Sequence, residues 1–77
     1  MEVFKQWLKD RGFAEWRTNC YEKWLKAPDH RFCFVDLMLD VIRVGYVIVD
    51  SDEDWDDFTD PQYAMQAIMQ IEENDAQ

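Results

Sequence analysis

The residues with the strongest chemical character in this 77-residue chain are the acids between positions 50 and 60. Seven of these eleven residues carry a carboxylate: Asp50, Asp52, Glu53, Asp54, Asp56, Asp57 and Asp60. Closely spaced carboxylates can bind a divalent cation, or they can present a row of negative charge to a basic surface. These residues therefore indicate one of two functions, cation binding or recognition of a basic partner.

The spacing of the acids argues against a calcium site. Asp50, Asp52 and Asp54 match the first three acidic positions of an EF-hand loop. The sixth position of that loop requires glycine for its sharp turn but holds Trp55, and the twelfth requires a bidentate glutamate but holds Pro61. We therefore predict no dedicated metal site and no cofactor.

The components of nucleophilic catalysis are also scarce. The chain has one serine, Ser51, and one histidine, His30, which falls in a predicted turn. A pair of His30 with Cys20 or Cys33 stays open, but both cysteines are predicted to be reduced and largely buried. A zinc site needs four Cys or His ligands, and the chain has three such residues. We therefore predict no catalytic residues and no enzyme activity.

Charge is divided unevenly along the chain. Residues 1–43 contain all eight bases and seven acids, whereas residues 44–77 contain ten acids and no base. A net charge of −9 excludes direct nucleic-acid binding through neutralised phosphates. Like charges nearby disfavour ionisation, so we expect the crowded carboxylates to have raised pKa values. Glu72 and Glu73 lie near the C-terminal end of a predicted helix, where the helix dipole disfavours anions.

Helices are predicted near both ends of the chain. Apolar residues at positions 3, 4, 7 and 8 follow the spacing of one helical face, which predicts a first helix over residues 2–11 with Gly12 as the residue that ends it. Asp60 followed by Pro61 is typical of a helix start, with the acid as N-cap. A second helix therefore begins at Pro61, and residues 73–77 are expected to fray.

Strands are predicted between the helices. Trp16 and Trp24 fall on the same side of a period-two alternation, which predicts a half-buried strand over residues 16–25 with these tryptophans inward. Residues 31–39 and 43–49 are rich in Phe, Val, Ile and Tyr, which favours two further strands.

Residues 30–43 also admit a second interpretation. Asp36, Asp40 and Arg43 fit one polar stripe of a single helix, although the β-branched residues of this region favour strands. The predicted fold is a single α+β domain over residues 1–77. Its order is helix, three-stranded antiparallel meander, acidic loop, helix (αβββα).

The predicted sheet is apolar on both faces. Phe32, Phe34 and Met38 alternate with Cys33 and Val35, and alternate residues of a strand point to opposite faces. Two short helices can cover only one face, so a second copy of the chain or a partner protein is expected to cover the other.

No targeting or membrane segment is predicted. The first ten residues lack the apolar run of a secretory signal, and the most apolar stretch, residues 32–49, is interrupted by charges. We therefore expect a cytoplasmic protein that does not insert into membranes.

In size, acidity and its combination of short helices with a small antiparallel sheet, the chain resembles small acidic phage-encoded inhibitors of bacterial defence, the anti-CRISPR and anti-restriction proteins that act as DNA mimics. The resemblance implies a non-enzymatic inhibitor in the host-cell cytoplasm. It also implies a basic, DNA-binding target, such as a Cas effector or a restriction enzyme. The residues expected to contact this target are Asp50, Asp52, Glu53, Asp54, Trp55, Asp56, Asp57, Glu72 and Glu73.

Two points stay open at this level. Trp55 and Phe58 are either anchors that hold the acidic loop to the core or an apolar hot spot in the interface. The alternative function is a protein–protein interaction or dimeric assembly module of phage or bacterial origin, acting through the apolar sheet face.

Overall fold

The computed structural model of the chain describes residues 1–26, 31–48 and 53–75. Along the chain, one helix precedes and one helix follows five strands: α1 Glu2–Asp10, β1 Ala14–Arg17, β2 Cys20–Trp24, β3 Arg31–Leu37, β4 Ile42–Ile48, β5 Glu53–Phe58 and α2 Pro61–Asp75. The predicted α+β class is confirmed, but the predicted three-stranded meander is wrong. All five strands form one sheet in the order β1-β2-β3-β4-β5, and every neighbouring pair is antiparallel.

The first correction concerns residues 16–25, which form a hairpin rather than one strand. Arg17 pairs with Cys20, so the hairpin loop consists of the two residues between them. Asn19 adopts a positive φ of 62°, and its N–H donates to the Glu15 carboxylate at 3.0 Å. Asparagine tolerates this conformation as glycine does, but Thr18-Asn19 contains no glycine to mark the turn.

The second correction concerns the acidic segment, because its second half is a strand and not a loop. Residues 53–58 form β5, which pairs with β4 along its whole length. Phe58 lies opposite Ile42 and packs against the core, and Asp57 lies opposite Arg43. Charged side chains are typical of edge strands, which is the position that β5 occupies. Asp50 and Asp52 lie outside the described residues.

The two central strands agree with the sequence prediction. Residues 31–39 and 43–49 were expected as strands, and β3 and β4 occupy Arg31–Leu37 and Ile42–Ile48. The helical alternative for residues 30–43 is therefore wrong. The chain reverses without glycine or proline, through a turn in which the Met38 N–H donates to the Val41 carbonyl at 2.9 Å.

The predicted helix boundaries are confirmed at two places. Gly12 follows α1 with a φ of 93°, a left-handed conformation that glycine adopts without a Cβ penalty. Asp60 precedes α2, and its Oδ1 accepts the Gln62 N–H at 2.9 Å, as an N-cap does. The helix continues to Asp75, into the segment 73–77 that was expected to fray.

Both helices pack against the same face of the sheet, here called the inner face. The fully buried residues include Leu8 from α1, Ile68 from α2 and Val35 from β3. Tyr21 and Val35 are paired across β2 and β3, which places their side chains on this face together. The remaining core residues are Phe4, Phe13, Cys33, Ile42, Val44 and Ala64.

Candidate functional site: the outer face of the sheet

The side of the sheet opposite the helices, here called the outer face, has no helix or strand over it within the described ranges. It is formed by the alternate residues of each strand, which the pairing places in neighbouring rows. A groove of about 400 Å³ runs across it. The residues that line this groove are Trp16, Glu22, Phe32, Phe34, Asp36, Arg43, Val47, Glu53 and Trp55.

Exposed tryptophans dominate the outer face. Trp16 is 57% exposed, Trp24 is 58% exposed and Trp55 is 42% exposed. Three of the four tryptophans of the chain therefore lie in contact with solvent on one side of the sheet. The prediction that Trp16 and Trp24 point inward is wrong, because β2 instead turns Tyr21 toward the helices. Large exposed aromatic patches of this kind mark interaction surfaces.

The floor of the groove depends on Gly45 in the middle of β4. A Cβ at this position would lie 2.6 Å from Phe34 Cζ and 2.7 Å from Trp55 Cβ, and it would also clash with the Asp54 carbonyl. The absence of a side chain therefore lets the Phe34 ring lie across β4, where it is only 9% exposed. The sequence analysis did not single out Gly45, although a glycine inside a strand is a signal of close approach.

Arg43 on β4 contacts two side chains of β5 on the outer face, Asp57 and Trp55. Its Nε lies 2.8 Å from Asp57 Oδ1 and its Nη2 lies 3.1 Å from Oδ2, which makes a bidentate ion pair. The same guanidinium lies over the Trp55 ring, 5.0 Å from its centroid. The hydrogen bonds from Arg43 lower the pKa of Asp57, and they raise the pKa of Arg43 in turn. The expected rise in carboxylate pKa is therefore wrong at Asp57.

The remaining charges of the outer face are Arg17 at its margin and three carboxylates. Glu22, Asp36 and Glu53 line the groove, and among the described residues none of them forms an ion pair. Asp36 lies opposite Cys20 on the neighbouring strand, and the pKa of the Cys20 thiol is raised by burial and by this carboxylate. Four carboxylates and two guanidinium groups, those of Arg17 and Arg43, leave the face with a net charge of −2.

Strand β5 divides its acids between the two sides of the sheet. Glu53, Trp55 and Asp57 point to the outer face, whereas Asp54 and Asp56 lie on the inner side, next to α2. All five are exposed. The structure therefore presents the described part of the acidic segment as an edge with carboxylates on both sides rather than as one row.

Glu72, another expected contact, makes internal ion pairs. Its Oε1 accepts from Arg11 Nη2 at 2.6 Å and its Oε2 accepts from Lys23 Nζ at 2.6 Å, with the Glu72 side chain only 15% exposed. Two bases from outside residues 44–77 thus offset this acid: Arg11, which follows α1, and Lys23 in β2. Asp75 likewise accepts the Lys26 backbone N–H at 2.7 Å. Glu73 is exposed.

The cysteines lie on opposite faces of the sheet. Cys33 is fully buried on the inner face, and burial raises the pKa of its thiol to about 12. Cys20 is partly buried and lies on the outer side, next to Asp36. A thiol with a raised pKa is a poor nucleophile at neutral pH. His30 and Ser51 lie outside the described residues, and in the described part no three His, Cys, Asp or Glu side chains cluster as metal ligands.

Comparison of the chain with protein-family models, with curated proteins and with solved structures found no match. Within residues 1–26, 31–48 and 53–75, neither helix has the length and apolar character needed to cross a membrane. Function must therefore be inferred from the geometry and charge of the chain itself.

Proposed function

We propose that the protein is a non-enzymatic interaction module that docks a partner protein on the outer face of its sheet. The observation that carries this proposal is the exposure of three tryptophans on one face: Trp16 and Trp55 line the groove, and Trp24 packs against Phe32, which also lines it. Tryptophan is enriched among interface hot spots because it buries a large apolar area when a partner covers it. When a partner covers these side chains, their apolar surface leaves water, and this burial favours the complex.

A different protein fits this face better than a second copy of the chain. The face has a net charge of −2 and the whole chain has −9. Two such faces pressed together would place like charges in a poorly solvated interface, which costs free energy. The raised pKa values of Cys20 and Cys33 support a binding role over a thiol enzyme, and two free thiols are typical of the cytoplasm.

Site-specific photo-crosslinking tests the docking proposal. Trp24 is replaced by benzoylphenylalanine in one sample and Tyr63 in another, because these residues are 58% and 60% exposed but lie on opposite sides of the molecule. We expect a discrete adduct in bacterial lysate from position 24 and none from position 63. An adduct of twice the chain mass of 9.4 kDa would indicate a homodimer instead. Equal labelling from both positions would contradict docking on the outer face.

A second candidate function is inhibition of a basic, DNA-binding protein by the acidic edge, as a DNA mimic. The observation that favours it is the exposure of Glu53, Asp54, Asp56 and Asp57 on strand β5. A strand advances by about 3.3 Å per residue and alternates its side chains, so neighbouring positions on one side of β5 lie about 6.6 Å apart, roughly twice the 3.4 Å per charge along one DNA strand. A Cas effector or a restriction enzyme would be a target of this kind. The pairing of Asp57 with Arg43 reduces the charge available for it.

Salt and DNA distinguish the two candidates. A mimic should be released from its captured partner by duplex DNA and by moderate salt, whereas a partner held by the aromatic face should resist both. Replacing Asp54 and Asp56 with Asn should abolish mimicry, because these exposed carboxylates have no ion pair among the described residues. Glu2→Gln with Asp40→Asn gives the same change in net charge away from β5. Equal losses from both pairs would contradict a shaped acidic surface.

A further inference from the structure

We propose that the outer face takes up an extended segment of its partner that inserts an arginine side chain into the groove between Trp16 and Trp55. This inference rests on the proposed docking function and identifies the chemistry of the partner. Its basis is the combination of an aromatic groove of about 400 Å³ with three carboxylates that line it, Glu22, Asp36 and Glu53. A partner of this chemistry matches the groove in both apolar surface and charge.

The carboxylates decide which kind of partner can cover the groove. A neutral apolar segment would remove Glu22, Asp36 and Glu53 from water and leave them only Arg43, which also lines the groove and is already paired with Asp57. Burying carboxylates without enough counter-charge is costly. A cationic side chain removes this cost, because it neutralises the carboxylates as they lose water. The charge that disfavours a second copy of the chain is thus the charge that favours a basic segment.

Single-stranded nucleic acid is excluded by the same charges. Exposed aromatic residues on a sheet face can stack bases, so the aromatic groove alone would also fit RNA. Such platforms are accompanied by basic side chains that follow the phosphate backbone. The described outer face has two bases. Arg17 lies at its margin, and Arg43 is already neutralised by Asp57.

The contacts of Arg43 within the outer face indicate why an incoming arginine is favoured over lysine. The guanidinium of Arg43 stacks on Trp55 at 5.0 Å and binds Asp57 through two hydrogen bonds. This is the combination of planar stacking and bidentate pairing that an ammonium group cannot reproduce. Trp16 and Glu22 offer the same pair of groups on the other side of the groove. The exposed Arg17 lies 5.9 Å from the Trp16 ring, at the outer limit of a cation–π contact.

The test uses three synthetic five-residue peptides that are capped at both ends. Valine occupies positions one, three and five, and positions two and four are both arginine, both lysine or both citrulline. Citrulline has nearly the shape of arginine but no charge. Binding is followed by shifts of backbone amide signals in NMR titrations of the intact chain. We expect the arginine peptide to shift amides of β3, β4 and β5, with affinity falling about 3-fold for lysine and at least about 10-fold for citrulline.

Matched variants separate the groove from bulk charge. Glu22→Gln with Glu53→Gln should weaken the arginine peptide by about 10-fold, whereas Glu2→Gln with Asp40→Asn should weaken it less than about 2-fold. Trp16→Ala should weaken it by about 3-fold to 10-fold, and Tyr63→Ala, an exposed aromatic residue on α2, should have no effect.

The outcomes that overturn the inference are distinct from failure of the docking proposal. Equal binding of the citrulline peptide on the outer face would exclude a cationic occupant, yet it would leave docking on this face intact. Shifts spread equally over α2 and the outer face, or equal losses in both charge variants, would mean attraction by net charge and would overturn the inference. Absence of shifts from the arginine peptide would overturn it as well. Docking itself is decided by the crosslinks from position 24.

Discussion

The two faces of the sheet are built from the same strands but treat their side chains in opposite ways. On β3, Val35 is fully buried beneath the helices, while its neighbour Phe34 lies in the floor of the open groove. The acids near the two faces also differ in whether they form ion pairs. Glu72, beside the inner face, is paired with Arg11 and Lys23, whereas Glu22 on the outer face has no ion pair among the described residues. The inner face is covered by the helices of the chain, whereas no helix or strand of the described residues lies over the outer face.

The largest expected effect tests whether stability resides on the inner face. Ile68 is fully buried between α2 and the sheet, so Ile68→Ala should lower the free energy of unfolding by about 2–5 kcal/mol. Trp16→Ala on the outer face should lower it by less than about 1 kcal/mol, because that side chain is already 57% exposed. Urea denaturation measures both values. A larger loss from Trp16→Ala would break the distinction between the two faces.

The second prediction sharpens the comparison at the floor of the groove. Gly45→Ala should lower the free energy of unfolding by about 1–3 kcal/mol, because a Cβ there meets Phe34 and the backbone of β5. Adding Phe34→Leu should recover part of the loss, since a shorter side chain can move away. Thermal unfolding of the single and double variants gives the coupling between the two positions. Unchanged stability in Gly45→Ala would contradict the close approach of Phe34 to β4.

The sequence predicted the parts of the fold that local chemistry determines. Gly12 and the pair Asp60-Pro61 mark helix ends by backbone geometry, and they were placed correctly. Strand β5 was missed because its charges lower its intrinsic preference for strand, and it forms through tertiary contacts of Phe58 with the core and Asp57 with Arg43. Those contacts join positions that no local pattern relates.

The candidate site was predicted in outline only. Alternation of Phe32 and Phe34 with buried residues predicted an apolar second face; the structure places both rings there, but among charged side chains. The inward placement of Trp16 and Trp24 was wrong, because β2 turns Tyr21 toward the helices and Trp24 away from them, and a register shift between Glu15 and Arg17 interrupts the alternation of β1 at Trp16. A groove needs the register of several strands, and register depends on pairing rather than on the sequence of any one strand.

The third prediction asks whether acids on the inner side serve stability. Glu72→Gln should lower the free energy of unfolding by about 1–2 kcal/mol, because it removes the charge that accepts three hydrogen bonds from Arg11 and Lys23 at a partly buried site. The exposed neighbour Glu73 provides the control, and Glu73→Gln should change stability by less than about 0.5 kcal/mol. Equal effects in the two variants, measured by urea denaturation, would mean that Glu72 is as available to a partner as Glu73 is.

The smallest expected effect concerns Asp57, the one acid of the outer face that has a base. Its pKa lies below the ordinary value of 3.8 because Arg43 donates hydrogen bonds to the charged form. The folded state therefore holds this proton less tightly than the unfolded state does. The resulting stabilisation is complete above the unfolded-state pKa and is lost as pH falls through the folded-state pKa. This is the opposite of the loss with rising pH that crowded carboxylates would cause.

Melting temperatures between about pH 2 and pH 6 at low salt measure this contribution. The unaltered chain should lose more stability than Asp57→Asn as pH falls below about 4, and the two curves should converge at the acid end. Asp54→Asn, which removes an exposed acid of the same strand that has no ion pair among the described residues, is the control for net charge. Parallel curves for Asp57→Asn would mean that the pair with Arg43 contributes nothing to folding. Arg43 could then move off the Trp55 ring. An incoming guanidinium could stack on Trp55 as well as on Trp16.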